Sequence, residues 1–338
     1  MTKVAIVVLN FNGKNFLQQF LPSVQRLSDD AKIVIADNGS TDQSAEFVRE
    51  KFPEIEVIQL HENKGFCGGY NAVLKKVQAT YYVLLNSDVE VTPNWLQPVI
   101  QLMDNDVTIA AAQPKILSHR NKNKFEYAGA AGGLIDILGY PFCRGRLFTT
   151  MEEDHGQYND TIPIFWASGA CLFIRADRYH EMGGFDEDFF AHMEEIDLCW
   201  RLTRAGHAIF YQGKSTVYHV GGGTLSASNP RKTYFNFRNG LSLLVKHQRI
   251  SSLLWKFPLR ILLDWVAALH FLSTGSAVHG KAVIIAHLSF MKKIRLEIRK
   301  RAATARQVKG FKSAPMFKGL IVFEFFLFGR KSVDKLKI

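Results

Sequence analysis

Cysteine is scarce in this chain. The four present, Cys67, Cys143, Cys171 and Cys199, stand far apart and form no CxxC pair. That spacing argues against a zinc cluster, and the apolar neighbours of each thiol predict reduced, buried cysteines in a reducing compartment. Long uncharged apolar runs are also missing. The apolar stretch 253–272 carries Lys256, Arg260 and Asp264 and has Pro258 inside it, so a membrane-spanning helix is not expected there. Near the N-terminus, the apolar run 4–9 is too short for the core of a secretion signal and reads as a buried strand. This predicts a cytosolic location for the front of the chain. Neither a G-x-G-x-x-G fingerprint nor a P-loop is present, which removes the dinucleotide-dependent dehydrogenase reading. Acidic residues almost vanish from the back: 4 Asp and Glu against 22 Lys and Arg after Pro230, compared with 27 against 20 up to that point. The basic back should seek an anionic partner.

What is present is a foldable composition. The 338 residues, 47% hydrophobic and 22% charged, can bury an ordinary core in one large domain with an appendage or in two. In the first hundred residues, runs rich in Val, Ile and Tyr (4–9, 32–36, 57–60, 81–85) alternate with helically spaced segments (16–27, 44–52, 66–77). That rhythm predicts crossover units and a mostly parallel sheet. Such sheets hold ligands beyond the carboxyl ends of their strands. Further on, the spacing predicts a helix over 93–103, a strand over 108–112, an irregular insertion or hairpin over 121–160 and a strand over 166–174. A helix over 194–205 closed by Gly206 and a strand over 208–211 follow. The last hundred residues set apolar stretches at 253–272, 283–291 and 319–328 beside basic clusters at 292–295 and 299–301. This suits interfacial attachment to an anionic membrane surface better than binding to nucleic acid, because the basic residues alternate with apolar runs and not with polar ones. The alternative is that these faces pack on the front of the chain or on a second copy, as a homo-oligomer.

The polar residues after each strand carry the chemistry. Asp37-Asn38-Gly39-Ser40-Thr41-Asp42 follows the second strand. It reads as a turn with Ser40 or Thr41 capping the next helix, or as a site where Asp37 accepts a hydrogen bond from a nucleotide base. The turn from Asn63 through Gly65 to Asn71 is glycine-rich at a helix start, suited to binding phosphate or simply to tight packing. Asn86-Ser87-Asp88 closes an apolar strand. Asp88 is then a turn carboxylate capping a helix near Pro93, or an oxygen ligand for Mg2+ or Mn2+ against a diphosphate. Glu194, Glu195 and Asp197 open a helix, where acids complement the dipole, and Asp197 should pair with Arg201 four residues on. Glu194 and Glu195 are left without evident partners, one of them free to face the crevice as a general base. His219, ahead of a glycine run, is an ordinary hydrogen-bonded histidine or a metal ligand on a mobile loop.

Taken together these motifs resemble family 2 glycosyltransferases of the GT-A fold, and within them the rhamnosyltransferase-like bacterial branch. The similarity spans residues 4–244. It rests on the order and spacing of Val7-Val8-Leu9-Asn10-Phe11-Asn12, Asp37-Asn38-Gly39-Ser40-Thr41-Asp42, Glu62-Asn63-Lys64-Gly65-Phe66 and Leu84-Leu85-Asn86-Ser87-Asp88-Val89, and then of Gly169-Ala170-Cys171-Leu172, Gly183-Gly184-Phe185-Asp186-Glu187, the 194–201 stretch and Tyr218-His219.

The resemblance implies an α/β architecture: a GT-A nucleotide-sugar-binding domain with a mostly parallel central sheet over residues 1–245, and a basic, apolar helical extension over 246–338. It implies a nucleotide-sugar donor bound by Asn10, Asp37, Asn63, Gly65, Asn86 and Asp88, and a divalent ion, Mg2+ or Mn2+, on Asp88 and His219. Glu195 would be the base of an inverting transfer, with Glu194 able to share or take the role. The acceptor would be lipid-linked or a growing surface glycan, with the 121–160 insertion, Trp166 and Gly169 near it. Trp166 either offers a sugar-stacking face or serves the core. Two positions depart from the family pattern: Asn86 stands where D-x-D has its first acid, and Glu195 where the E-D motif has its second. The implied location is peripheral, on the cytoplasmic face of the plasma membrane. A catalytically inactive scaffold on the same fold is the rival reading.

Overall fold

The computed structural model describes residues 2–28, 30–221, 229–308 and 316–336. Its first part is a run of parallel strands, β1 (Val4–Asn10), β2 (Lys32–Asp37), β3 (Glu56–Gln59) and β4 (Tyr81–Asn86), joined by helices α1 (Lys14–Arg26), α2 (Ser44–Lys51) and α3 (Gly65–Leu74). β1 and β4 are buried on both faces, as a parallel sheet covered by crossover helices requires. β1 lies between β2 and β4, and its register sets Asn10 beside Asp37 and Leu9 beside Asn86. The polar ends of three strands therefore share one edge, at a strand spacing of about 4.8 Å.

The chain continues through β5 (Val89–Val91), α4 (Gln97–Asn105), β6 (Ile109–Ser118), β7 (Gly133–Ile135), β8 (Pro141–Cys143), β9 (Arg146–Leu147) and β10 (Thr150–Met151). Then come β11 (Thr161–Ile164), β12 (Cys171–Arg175), α5 (Ala176–Glu181), α6 (Glu194–Ala205) and β13 (Ala208–His219). The main sheet has the order β11-β13-β6-β12-β4-β1-β2-β3, with β5 on β13. It is mixed, because β12 runs antiparallel between β6 and β4.

Several expected bounds move, for identifiable reasons. The helix expected from residue 93 begins at Gln97, because residues 93–96 turn, with Asn94 at φ 61°, outside the helical region. The strand expected over 166–174 is Cys171–Arg175, and residues 165–170 turn across the sheet edge. The strand expected over 208–211 runs on to His219 through an irregularity between Gln212 and Thr216. Residues 121–160 follow the hairpin alternative: the short strands β7 to β10 form a second, antiparallel sheet, joined by irregular chain. Strands of two or three residues carry no sustained period, so alternation could not reveal them. Neither Ser40 nor Thr41 caps α2, whose first amide is served by the Asp42 carboxylate. All four cysteines are free and buried.

α6 forms where expected and closes on Gly206 at φ 98°. Its Asp197 pairs with Arg201 at 2.8 Å. The structure adds Lys246 and His247, each 2.8 Å from the same carboxylate. Both come from α7 (Pro230–His247), so the expected domain boundary at 245 falls in the last turn of that helix. Burial alone would raise Asp197, but Lys246, Arg201 and His247 hold its carboxyl well below the usual range. Removing one member of such a buried cluster strands the others. Asp197→Ala should therefore lower stability by about 3–5 kcal/mol, read as a fall in the urea midpoint at unchanged slope.

The remaining helices are α8 (Ile250–Ser273), α9 (Ala277–Lys292), α10 (Ile294–Gln307) and α11 (Ile321–Phe326). α8 is polarised against the usual pattern of a surface helix. Its charges Lys256, Arg260 and Asp264 point inward and are buried. Arg260 pairs with Asp264 at 2.9 Å and donates to Leu138 O, while the Tyr140 hydroxyl donates to Asp264 at 2.8 Å. Phe257 and Ile261 pack on Leu241, Val245 and Phe290, but other apolar side chains face out: Leu254 is 77% exposed and Leu262 60%. Leu288 and Met291 of α9 continue that outer face. Among the described residues, no helix is long and apolar enough to cross a membrane.

Candidate active site

The shared edge of β4, β1 and β2 gathers most of the expected donor residues. Asn10 Nδ2 donates to Asp37 Oδ1 and to Ser40 Oγ, both at 3.1 Å, and the Ser40 amide donates to Asp37 Oδ2. Asn63 lies in the next loop and accepts from Asn38 Nδ2 at 3.1 Å and from the Gly65 amide at 2.8 Å. Gly65 has φ +70°, and a Cβ there would fall 2.7 Å from Phe190 O, so no other residue fits this close approach without strain. The amide of Asn86 donates to Ala170 O at 3.0 Å. That contact brings the 165–170 turn, with Gly169, to the end of β4. Gly169 faces the ring of Phe66.

Asp88, just past β4, is buried and does not cap a helix. Its Oδ1 lies 3.2 Å from His219 Nε2. His219 is the last residue of β13, paired with Val89 of β5, and so is held by a strand and not carried on a mobile loop. Its Nδ1 stands 3.2 Å from Glu126 Oε2. Burial by itself would lower the His219 pKa, but Asp88 and Glu126 outweigh that and raise it to about 10. Among the described residues, no three or more His, Cys, Asp or Glu side chains converge as a cation cage. What converges is the Asp88–His219 pair. A cation that displaced the proton of Nε2 would find one carboxylate oxygen and one imidazole nitrogen here, and would take its other ligands from a diphosphate and water.

Glu194 and Glu195 open α6 after a strained approach. Phe190, His192 and Met193 all adopt positive φ, at a cost of about 1–3 kcal/mol each. α7 holds the strain in place: Asn239 Nδ2 donates to Phe189 O, Ala191 O and His192 O, and Arg238 donates to Asp188 O and Phe189 O. Phe190 O accepts from the Phe66 amide at 2.9 Å, tying this loop to the Gly65 turn. One carboxylate oxygen of each glutamate is buried without a partner. Burial, and then the charge of Glu195, raises Glu194 well above the ordinary range. Burial pushes half-buried Glu195 up to about 7.

Trp166 is not an open stacking face. Its indole Nε1 donates to Leu134 O at 2.9 Å, the ring presses on Gly133, and the side chain is buried. Glu126, Asn38, Ser40, Arg238 and Asn239 escaped the sequence reading. Only Asn38 and Ser40 lay inside a motif, 37–42, that could have pointed to them.

Known proteins resemble this chain in sequence and in fold. N-acetylglucosaminyl-diphospho-decaprenol L-rhamnosyltransferase of Mycobacterium tuberculosis is 24% identical over 282 residues, covering 75% of this chain and 87% of that protein. Teichoic acid poly(glycerol phosphate) polymerase of Staphylococcus epidermidis is 31% identical over 178 residues, covering 49% of this chain and 25% of that protein. Among solved structures, GalNAc-T7 with UDP, GalNAc and Mn2+ superposes with a TM-score of 0.57 at 15% identity, covering 73% of this chain and 48% of that one. Mannosyltransferase PcManGT from Pyrobaculum calidifontis, in complex with GDP-Man and Mn2+, gives 0.51 at 13% identity, covering 91% and 86%. The GT-A fold is thus shared. The sequence model of Glycosyl transferase family 2 matches residues 5–175, the stretch that builds the β4–β1–β2 edge and the turn across it, and the chain belongs to that family.

Proposed function

We propose that this chain is an inverting glycosyltransferase that moves a sugar from a nucleotide-diphosphate donor to a lipid-linked or growing surface-glycan acceptor. The observation that carries this reading is the Asp88–His219 pair beside the edge that aligns Asn10, Asp37 and Asn86. In this reading Asp37 and Asn10 take the nucleotide, Asn63 and Gly65 shape the turn beside it, and Asn86 lies toward the sugar. Asp88 and His219 would hold Mg2+ or Mn2+, whose charge would offset that of the diphosphate leaving group. Glu195 removes the proton of the acceptor hydroxyl as that oxygen attacks the anomeric carbon. The bond to the diphosphate breaks in the same step, and the configuration inverts. Glu194, more deeply buried, keeps its proton and leaves Glu195 as the base. Residues 1–245 carry this chemistry, and residues 246–338 form the helical extension. The relative from Mycobacterium is named for a diphospho-decaprenol acceptor, and we take the same chemical class for this chain.

Incubating the purified protein with a panel of nucleotide sugars and Mn2+ tests the reading. One donor should raise the melting temperature in a metal-dependent way and be slowly hydrolysed. Absence of both with every donor would favour an inactive scaffold.

The extension is read as a peripheral attachment to the cytoplasmic face of the plasma membrane. The outward apolar face of α8 and α9 supports this, together with the basic residues around it. Each Lys or Arg near an anionic surface adds about 1 kcal/mol. The full-length protein should float with anionic liposomes, less so in high salt. Leu262→Glu with Leu269→Glu should abolish flotation without loss of fold. A concentration-dependent dimer that ignores liposomes would assign the face to a second copy instead.

A further inference from the structure

Arg146, on β9, is a buried cation with no carboxylate hydrogen-bonded to it, its charge favoured from a distance by Glu126. Its guanidinium donates to Phe148 O at 3.3 Å and to Cys143 Sγ at 3.4 Å, its Nε has no partner, and no carboxylate pairs with it among the described residues. Burying a charge without a hydrogen-bonded counter-ion is costly, and the one acid that favours it, Glu126, is shared with His219. The Arg146 guanidinium lies 4.3 Å from the centre of the Tyr127 ring, and Lys232 Nζ lies 4.8 Å from the centre of the same ring. Tyr127 is 42% exposed. Two cations thus flank one open aromatic ring. The adjacent acid, Glu126, is engaged with His219, which places this cluster one residue from the Asp88–His219 pair.

The other side of the cluster is apolar. The Phe148 ring packs on Phe325 and Phe326 at 4.8 and 5.0 Å. Phe326, Leu327 and Phe328 are 60–70% exposed. A cationic spot beside the proposed donor site therefore continues into an open apolar strip. An anionic headgroup on an apolar chain has that polarity.

We propose that Tyr127, Arg146 and Lys232 form a subsite for the diphosphate of an isoprenoid-linked acceptor, whose chain runs over Phe148 and Phe326 toward the membrane. Lys232 meets the diphosphate with charge-assisted hydrogen bonds. Arg146, beneath Tyr127, supplies the field that makes a dianion favourable there. The proposal rests on the transferase reading above and adds where the acceptor's diphosphate is held.

Calorimetric titration of the full-length protein with farnesyl diphosphate, inorganic pyrophosphate, farnesol, and UDP or GDP with Mn2+ tests it. Farnesyl diphosphate should bind more tightly than pyrophosphate or farnesol. Lys232→Ala should weaken it by about tenfold, and Lys232→Arg should restore most of the loss. Phe326→Ser should weaken farnesyl diphosphate but not pyrophosphate. Arg146→Met should act like Lys232→Ala; because Arg146 is buried and its loss can unfold the chain, half-buried Lys232 carries the test. Farnesyl diphosphate binding no tighter than farnesol would overturn the proposal. So would mutual exclusion of farnesyl diphosphate and the nucleoside diphosphate, which would assign the cations to the donor. Failure of the transferase reading shows separately, as the absence of any metal-dependent nucleotide binding.

Discussion

Glu195→Gln should lower the turnover of sugar transfer by about two to four orders of magnitude while leaving donor affinity near native. The amide keeps the shape of the carboxylate but cannot take a proton. The loss should therefore fall on kcat and not on the metal-dependent nucleotide affinity. Glu195 is pushed up to about 7 by burial. A base must be unprotonated to act, so kcat/KM of the native enzyme should fall about tenfold per pH unit below that value. Above it the rate should level off, and in Glu195→Gln the acid limb should vanish. Glu194 sets up the control. It is buried and raised further by the charge of its neighbour, so Glu194→Gln, which mimics its protonated form, should retain much of the activity. If Glu194→Gln is dead and Glu195→Gln is active, the two roles are exchanged.

Asp88→Ala should reduce transfer by about three orders of magnitude, corresponding to some 4 kcal/mol of lost leaving-group stabilisation. The fold should survive. His219 keeps Glu126 at 3.2 Å and its place in the pairing of β13 with β5, so the strand end that carries it stays anchored. The measurement is steady-state transfer at saturating Mn2+ beside a thermal melt. A melt that collapses would make Asp88 a structural residue. Full native turnover in excess chelator would remove the metal from the reading altogether. His219→Ala should also lose metal-dependent donor binding, because the imidazole faces Asp88 directly.

The order of the first strands and helices was legible in the sequence. Apolar runs buried on both faces and helically spaced segments between them are local patterns, and local patterns survive in one dimension. The same holds for the residues that close each strand. Asn10, Asp37 and Asn86 could be picked out because a parallel sheet presents its carboxyl ends to ligands, and the register of β1 sets Asn10 beside Asp37 and Leu9 beside Asn86, on one edge. The Asp197–Arg201 pair was legible too, since four residues along a helix make neighbours.

Other features depend on contacts between distant segments. β7 to β10 were illegible because strands of two or three residues have no period. Glu126 became visible only where His219, some ninety residues later, came to rest against it. The strained loop before Glu194 is possible because Asn239 and Arg238 of α7 collect its carbonyls. The charges in the 253–272 stretch argued against a membrane-spanning helix, and among the described residues no helix is long and apolar enough to cross one. Composition could not say which way those charges point. The sequence by itself determined the family, the parallel edge and the identity of most candidate site residues, because those rest on spacing along the chain. Only the tertiary structure decided that Trp166 is core, that His219 is clamped between two acids, and that α8 turns its charges inward. Burial and electrostatic partnership are set by what packs from elsewhere in the chain.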